Sequence, residues 1–401
     1  MIAGLLAWQT ASSADPLTLA AQAKLILGAD QGVYVENAAG TSLLAQQAQK
    51  PVHPASVSKV PTTLALLRKL GPEYRFTTTF SAHGAPANGT LPGDLLVESN
   101  GDPAFVDENA IVVADRLREL GIQQVAGGLR LQGKLTFDWK IDEDGALLRR
   151  ALAGSVAPQA LAEARAFELE NPTGPQPQKL LPGAIRFLAA ADPSPHATAQ
   201  RPLLIHRSQP LLPLAKSLND YSNNIFKPLA DAAGGASAVQ TLARSVVPAT
   251  MQSEITLGDG AGTDPINRLS PRAAVKLLRA LEAELQKSGH ALFDILPVSG
   301  IDDGTLRRRL DGPGELGHVV GKTGTYGDYG ASALIGAIAT SDQGTVYFAV
   351  LNHGVAVPEA RRRQDRFVRA LLQRLGTSVP WNYQRDIRPA IARAEITTPT
   401  R

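Results

Sequence analysis

The chain holds one pair of residues whose types and spacing suit nucleophilic catalysis, Ser56 and Lys59. A serine hydroxyl is a poor nucleophile at neutral pH, so an enzyme using one supplies a base within hydrogen-bond reach and donors for the developing oxyanion. Three residues apart on a helix, the two side chains share a face. Lys59 can then serve as a neutral amine if burial and a nearby cation lower its pKa. Lys322 is a candidate for that cation. A second element, Ser222-Asn223-Asn224, could relay a proton through its hydroxyl and hold a substrate carbonyl with its amide. Ser217-Leu218-Asn219 fits the same pattern, and Tyr221-Ser222-Asn223 fits a Tyr-x-Asn variant. A third, Lys322-Thr323-Gly324-Thr325, sets a lysine beside two hydroxyls with a glycine that permits close approach, which makes a rail for a carboxylate. Each has an ordinary reading when taken alone: an N-cap serine with a surface lysine, or a strand running into a Gly-rich turn.

These residues need elements to hold them. Val33-Tyr34-Val35 and Ser42-Leu43-Leu44, separated by Asn37-Ala38-Ala39-Gly40, read as a hairpin. His53-Pro54-Ala55 leads into Ser56, and Leu64, Leu66 and Leu67 before Gly71-Pro72 predict a helix that starts close to the serine, with Pro61 tolerated in its first turn. Residues 75 to 205 have a different texture, with short strand candidates at Asp94–Glu98 and Leu129–Leu131 and a Pro-rich stretch around Asn171-Pro172-Thr173-Gly174-Pro175; they read as an inserted domain. Helical periodicity returns in Leu211–Leu229, Ala236–Ala243 and Pro271–Gln286. Three strand-like runs follow, at Val319–Gly321, Ala331–Ile338 and Thr345–Leu351, expected in one antiparallel sheet. The run from Ser378 to the end is expected to wrap the surface or to be partly mobile.

Composition limits the function classes. The 401 residues suit two domains or one domain with a large insertion, and 44% apolar against 19% charged residues is a folded profile. A net charge of +3 with no long basic run gives nucleic-acid binding little support. The absence of cysteine removes disulfides, thiolate catalysis and Cys-ligated zinc. No histidine pair has metal-ligand spacing, so no metal or other cofactor is expected. The apolar start Met1–Trp8 followed by Ser12-Ser13-Ala14 reads as a partial signal peptide over 1–14, which points to a periplasmic or otherwise exported protein, and no later stretch is expected to span a membrane.

Ser-x-x-Lys, Ser-x-Asn and Lys-Thr-Gly, in that order, form the motif set of penicillin-binding proteins and serine β-lactamases. The wider context, His53-Pro54-Ala55-Ser56-Val57-Ser58-Lys59 running to Gly71-Pro72-Glu73-Tyr74-Arg75-Phe76-Thr77-Thr78, resembles the class C D-Ala-D-Ala carboxypeptidase/endopeptidase family of penicillin-binding protein 4 type, peptidase family S13. Asn100-Gly101-Asp102-Pro103, Asp259-Gly260-Ala261-Gly262, Asn267-Arg268-Leu269-Ser270-Pro271, Leu296-Pro297-Val298-Ser299-Gly300 and Asp303-Gly304-Thr305-Leu306 resemble its local signatures. The resemblance covers residues 20 to 375.

It implies an α+β (α/β) sandwich with the transpeptidase-like fold of serine β-lactamases and DD-peptidases, an antiparallel sheet flanked by helices plus an inserted β-rich domain. The expected division is 15–75 with 206–376 as catalytic domain, 76–205 as insertion and 377–401 as C-terminal extension. It further implies Ser56 as nucleophile on the carbonyl between two D-alanines and Lys59 as base. Ser222 and Lys322 would pass the proton to the leaving D-alanine, and Asn224 would hold the substrate amide. Backbone N–H groups of Ser56 and Thr325 would form the oxyanion hole, and Thr323, Gly324 and Thr325 would line the carboxylate site. A peptidoglycan stem peptide is the expected substrate and β-lactams the expected covalent inhibitors. Two departures stand out: the stretch between Ser56 and Ser222 is short for the nested second domain some members carry, and Ala261 replaces a frequent serine. A β-lactamase, an esterase, or a catalytically silent wall-binding protein on the same fold are the alternatives.

Overall fold

The computed structural model describes residues 17–170, 185–191, 200–222, 224–327, 330–342, 344–388 and 390–399; the signal-peptide reading, the Asn171–Pro175 stretch and Asn223 lie outside them. The central sheet has five antiparallel strands in the order Val319–Tyr326, Ala331–Thr340, Gly344–Asn352, Gly32–Glu36 and Ser42–Gln46. The early hairpin therefore pairs with the last strand of the late meander, Val33 opposite Val350.

Both faces of this sheet are covered, which is why its strands read as nearly continuous apolar runs. Along Ala331–Thr340, Ala333, Ile335 and Ala337 point into one core while Leu334 and Ile338 point into the other. The first core packs against helices Lys59–Leu70, Leu211–Tyr221, Phe226–Ala232 and Pro271–Gln286, and the second against Leu19–Leu27 and Val357–Leu375. Helix Pro271–Gln286 starts at Ser270, whose hydroxyl accepts from the Ala273 N–H at 3.2 Å, and buries Val275, Leu278, Leu281 and Leu285 along one stripe. Helix Lys59–Leu70 has no solvent face over its first nine residues. Burial of Val60, Leu64, Leu66 and Leu67, worth about 1.5–3 kcal/mol for each side chain, offsets the cost of burying Lys59, Thr62 and Thr63 beside them.

Residues 77–207 form an excursion that closes on itself, because its first strand Thr77–Ala82 and its last strand Arg201–Arg207 are antiparallel neighbours with Thr77 opposite Arg207. They belong to a six-stranded sheet whose core is built on Phe80, Phe105, Phe137 and Leu204. Among the described residues, helices Asp107–Glu119, Ala146–Leu152 and Pro158–Glu170 accompany it, so this segment mixes helix with sheet where the sequence suggested mainly strands. The edge strand of that sheet, Glu395–Thr397, comes from the C-terminal run.

Candidate active site

Ser56 sits in a single 3₁₀ turn, Ala55–Ser58, that leads into helix Lys59–Leu70. The turn is tight: Ala55 has φ +48°, a left-handed conformation that an L residue holds only when its surroundings impose it. Two glycines let the chain close around it. A Cβ on Gly262 (φ +85°) would lie 1.9 Å from the Ala55 carbonyl oxygen, and one on Gly324 would lie 2.5 Å from that of Pro54. His53, buried and stacked on Tyr326 at 4.5 Å, accepts the Ala55 N–H through Nδ1. Its role is to shape the turn.

Lys59 Nζ donates to Ser56 Oγ at 2.8 Å and to the Ala261 carbonyl at 2.6 Å, and lies 3.4 Å from Asn224 Oδ1. Because residue 261 contributes a backbone oxygen, alanine there preserves the contact. Burial lowers the Lys59 pKa from 10.5 to about 7, opposed by the charge of Asp259. Burial works against the Asp259 carboxylate as well, but hydrogen bonds from Thr263, Asn267 and Gly262 outweigh it and hold the group below the usual carboxylate range.

Helix Leu211–Tyr221 ends at Ser222, in the left-handed conformation at φ 57°, ψ 40°. That turn aims the hydroxyl at the strand Val319–Tyr326, where the fully buried Lys322 Nζ donates to Ser222 Oγ at 3.0 Å and to the Thr323 carbonyl at 3.1 Å. Burial, then the charge of Lys59, hold the Lys322 pKa well below the usual lysine range, with Asp220 pulling the other way. The geometry thus contains two hydroxyl–amine pairs, Ser56–Lys59 and Ser222–Lys322, whose amines repel each other when both are charged. One can take a proton while the other supplies one.

Thr323 is nearly buried and its hydroxyl donates to Thr305 Oγ1 at 2.8 Å. Thr325 is exposed and accepts from Arg361 Nη2 at 2.8 Å. The rival readings of the second element separate here: Ser217 donates back to Pro213 O within its own helix, Asn219 is buried and bonded to Ile295 O, and the Tyr221 side chain is 62% exposed. Sequence reasoning missed the parts played by Thr305, Asp220 and Arg361. Thr305 lay within a segment already singled out, whereas nothing distinguishes Arg361 from its neighbours Arg362 and Arg363.

A model of a family described as "D-Ala-D-Ala carboxypeptidase 3 (S13) family" matches residues 16–143 and 151–374. Among curated proteins, the chain is 27% identical over 402 residues to carboxypeptidase DacB of Mycolicibacterium smegmatis, covering 88% of this chain and 82% of that one. Over 103 residues it is 32% identical to a D-alanyl-D-alanine carboxypeptidase of Actinomadura sp., covering 25% of this chain and 19% of that one. Its fold is shared with the penicillin G-acylated Bd3459 predatory endopeptidase of Bdellovibrio bacteriovorus, at TM-score 0.76 and 21% identity over 92% of this chain and 99% of that one. It is also shared with penicillin-binding protein 4 of Haemophilus influenzae, at TM-score 0.64 and 17% identity over 90% and 100%.

Proposed function

The chain belongs to the D-Ala-D-Ala carboxypeptidase 3 (S13) family and is a serine-type D-Ala-D-Ala carboxypeptidase; from that premise we propose that it cleaves peptidoglycan stem peptides, and crosslinks of the same chemistry, through an acyl-enzyme on Ser56. Neutral Lys59 takes the Ser56 proton as Oγ attacks the carbonyl carbon of the penultimate D-alanine. The carbonyl oxygen, now negative, is received by the backbone N–H groups of Ser56 and Thr325. As the C–N bond breaks, Ser222, held by Lys322, gives its proton to the leaving amine and is reprotonated from that lysine. The proton on Lys59 returns to Lys322, and neutral Lys59 then takes a proton from the water that attacks the Ser56 ester and gives it to Ser56 Oγ as the shortened peptide leaves. Asn224 holds the substrate amide, and Thr323 and Thr325 bind the carboxylate of the leaving residue, with Gly324 allowing the backbone to approach. No step calls on a metal or a cofactor.

The observation that carries this reading is the 2.8 Å contact between Ser56 Oγ and a lysine whose pKa is brought near neutrality by burial. The catalytic unit comprises 15–75 and 206–376, with 76–205 inserted. A peptidoglycan substrate supports a periplasmic or otherwise exported enzyme; no helix among the described residues is long and apolar enough to cross a membrane. The test is covalent labelling of wild type and Ser56→Ala by a fluorescent penicillin, with label release followed in time. Stable labelling of wild type alone supports the peptidase. Rapid turnover would make it a β-lactamase, and an unlabelled wild type would leave the assignment of Ser56 without support.

A further inference from the structure

The family match stops at residue 374, yet the chain beyond it is built into the molecule. The Trp381 N–H donates to Gly317 O at 2.9 Å, and the Trp381 and Tyr383 rings lie against Phe293 at centroid distances of 5.9 and 5.6 Å. The Tyr383 hydroxyl donates to Asp302 Oδ1 at 2.7 Å, and the Lys216 ammonium, 4.8 Å over the Tyr383 ring, donates to Asp302 Oδ2 at 2.5 Å. Arg385 pairs with Asp303. Farther on, the Arg393 guanidinium donates to Gln209, its carbonyl accepts from Arg75, Ile391 is buried against the helices of the 77–207 excursion, and Glu395–Thr397 completes that segment's sheet.

Asp302 and Asp303 begin a loop that touches both halves of the proton-delivering pair. The Thr305 N–H donates to Asp220 O at 2.9 Å, two residues before Ser222, while the Thr305 hydroxyl accepts from Thr323, next to Lys322. Contact is close enough that a Cβ on Gly304 would lie 2.1 Å from Asp220 O. Ser222 needs such support, because its left-handed backbone is unfavourable for an L residue. Tyr383 and Arg385 hold the loop through its first two residues, Asp302 and Asp303.

We propose that the C-terminal strap is a positioning device for proton delivery: Tyr383 and Arg385, acting through Asp302 and Asp303, hold the 302–305 loop so that the Ser222 turn stays locked against the Lys322 strand. Their side-chain bonds run to Asp302 and Asp303, not to Ser56, Lys59, Ser222 or Lys322. The inference rests on the acyl-enzyme reading above, and extends it to a segment outside the family match.

The test uses the full chain with Tyr383→Phe, which keeps the ring packing, Arg385→Ala, and Arg385→Lys. The comparison variant is Ile391→Ala, which loosens the strap at its far end and alters none of the bridging atoms. Displacing a reacting group by a fraction of an ångström to an ångström costs about ten- to a hundredfold. Tyr383→Phe and Arg385→Ala are therefore expected to lower kcat on an acyl-D-Ala-D-Ala peptide about tenfold or more with KM changed less than about threefold. Arg385→Lys should recover most of the loss, and Ile391→Ala should lower Tm while keeping kcat. Overturning results are a kcat for Tyr383→Phe and Arg385→Ala within twofold of wild type, or a loss that simply tracks Tm across all four variants. If wild type itself takes no penicillin label, the acyl-enzyme reading fails; if it labels and the strap variants turn over normally, only the positioning role fails.

Discussion

Lys59→Arg keeps a cation in the pocket and removes the one property the nucleophile needs, a neutral nitrogen at working pH. The guanidinium stays protonated at any pH the protein tolerates. A lysine with a pKa of about 7 is half neutral at pH 7, whereas one at its ordinary value has only about three molecules in ten thousand neutral. Burial of Lys59 therefore raises the supply of base about a thousandfold, and the arginine variant forfeits all of it. The assay is the second-order rate constant for acylation by a fluorescent penicillin between pH 5.5 and 9 at constant ionic strength. For wild type the constant should rise about tenfold per pH unit below the bend and flatten near pH 7. Asp259→Asn should move the bend to lower pH, because Asp259 is the charge that favours the protonated amine. Lys59→Arg should fall at least about a thousandfold, read on the folded fraction, since the larger permanent charge in this buried pocket also lowers its Tm. A profile that is flat across this range, one that still rises tenfold per pH unit at pH 9, or an arginine variant keeping a tenth of the wild-type rate would refute the reasoning.

Ser222→Ala should lower acylation by about a hundredfold or more, whereas Ser217→Ala and Tyr221→Phe should stay within about threefold of wild type, all read from the same labelling constant. Lys59→Met should abolish labelling and raise Tm. Holding an ammonium whose pKa falls from 10.5 to about 7 costs on the order of 4 kcal/mol at neutral pH, a cost present below pH 7 and relieved as pH climbs towards 10.5, and methionine removes it. Gly262→Ala puts a methyl group onto the Ala55 carbonyl at a left-handed position, and should lose labelling at least about a hundredfold with a Tm several degrees lower by calorimetry. Glu36 is buried between Lys276, Arg279 and the Tyr34 hydroxyl, so Glu36→Ala should cost about 3 kcal/mol in urea unfolding and leave the labelling rate of the folded protein unchanged.

Much of the site could be read from the chain because its chemistry is concentrated in short motifs. Ser56 and Lys59 are three residues apart, and Lys322 to Thr325 are consecutive on one strand. The late strands were visible because both faces of their sheet are covered, which leaves an apolar run with no solvent alternation. The Ser-x-Asn pattern by itself left Ser217, Tyr221 and Ser222 open and only the family resemblance favoured Ser222, since the choice turns on one left-handed residue and on a lysine a hundred positions away. Arg361 and Thr305 matter only through partners that the fold brings to them. The strap is the extreme case: it has no periodicity, and its order comes from scattered contacts with Asp302, Asp303, Gln209, Gly317, Phe293 and the strand Arg201–Arg207, none of them near it in sequence.

The neighbours that define Ser56 also set a timetable. The hydroxyl is carried early, at residue 56, but the carbonyl that steadies its base comes from Ala261, the backbone that crowds its turn comes from Gly262 and Gly324, and the strand Gly32–Glu36 reaches its outer partner only when Gly344–Asn352 exists. Until the last third of the chain has been made, Lys59 is bathed in water, keeps the proton of an ordinary lysine, and leaves the serine inert. Such an enzyme is silent throughout its own synthesis. Its reactivity switches on in the same cooperative event that closes the sheet.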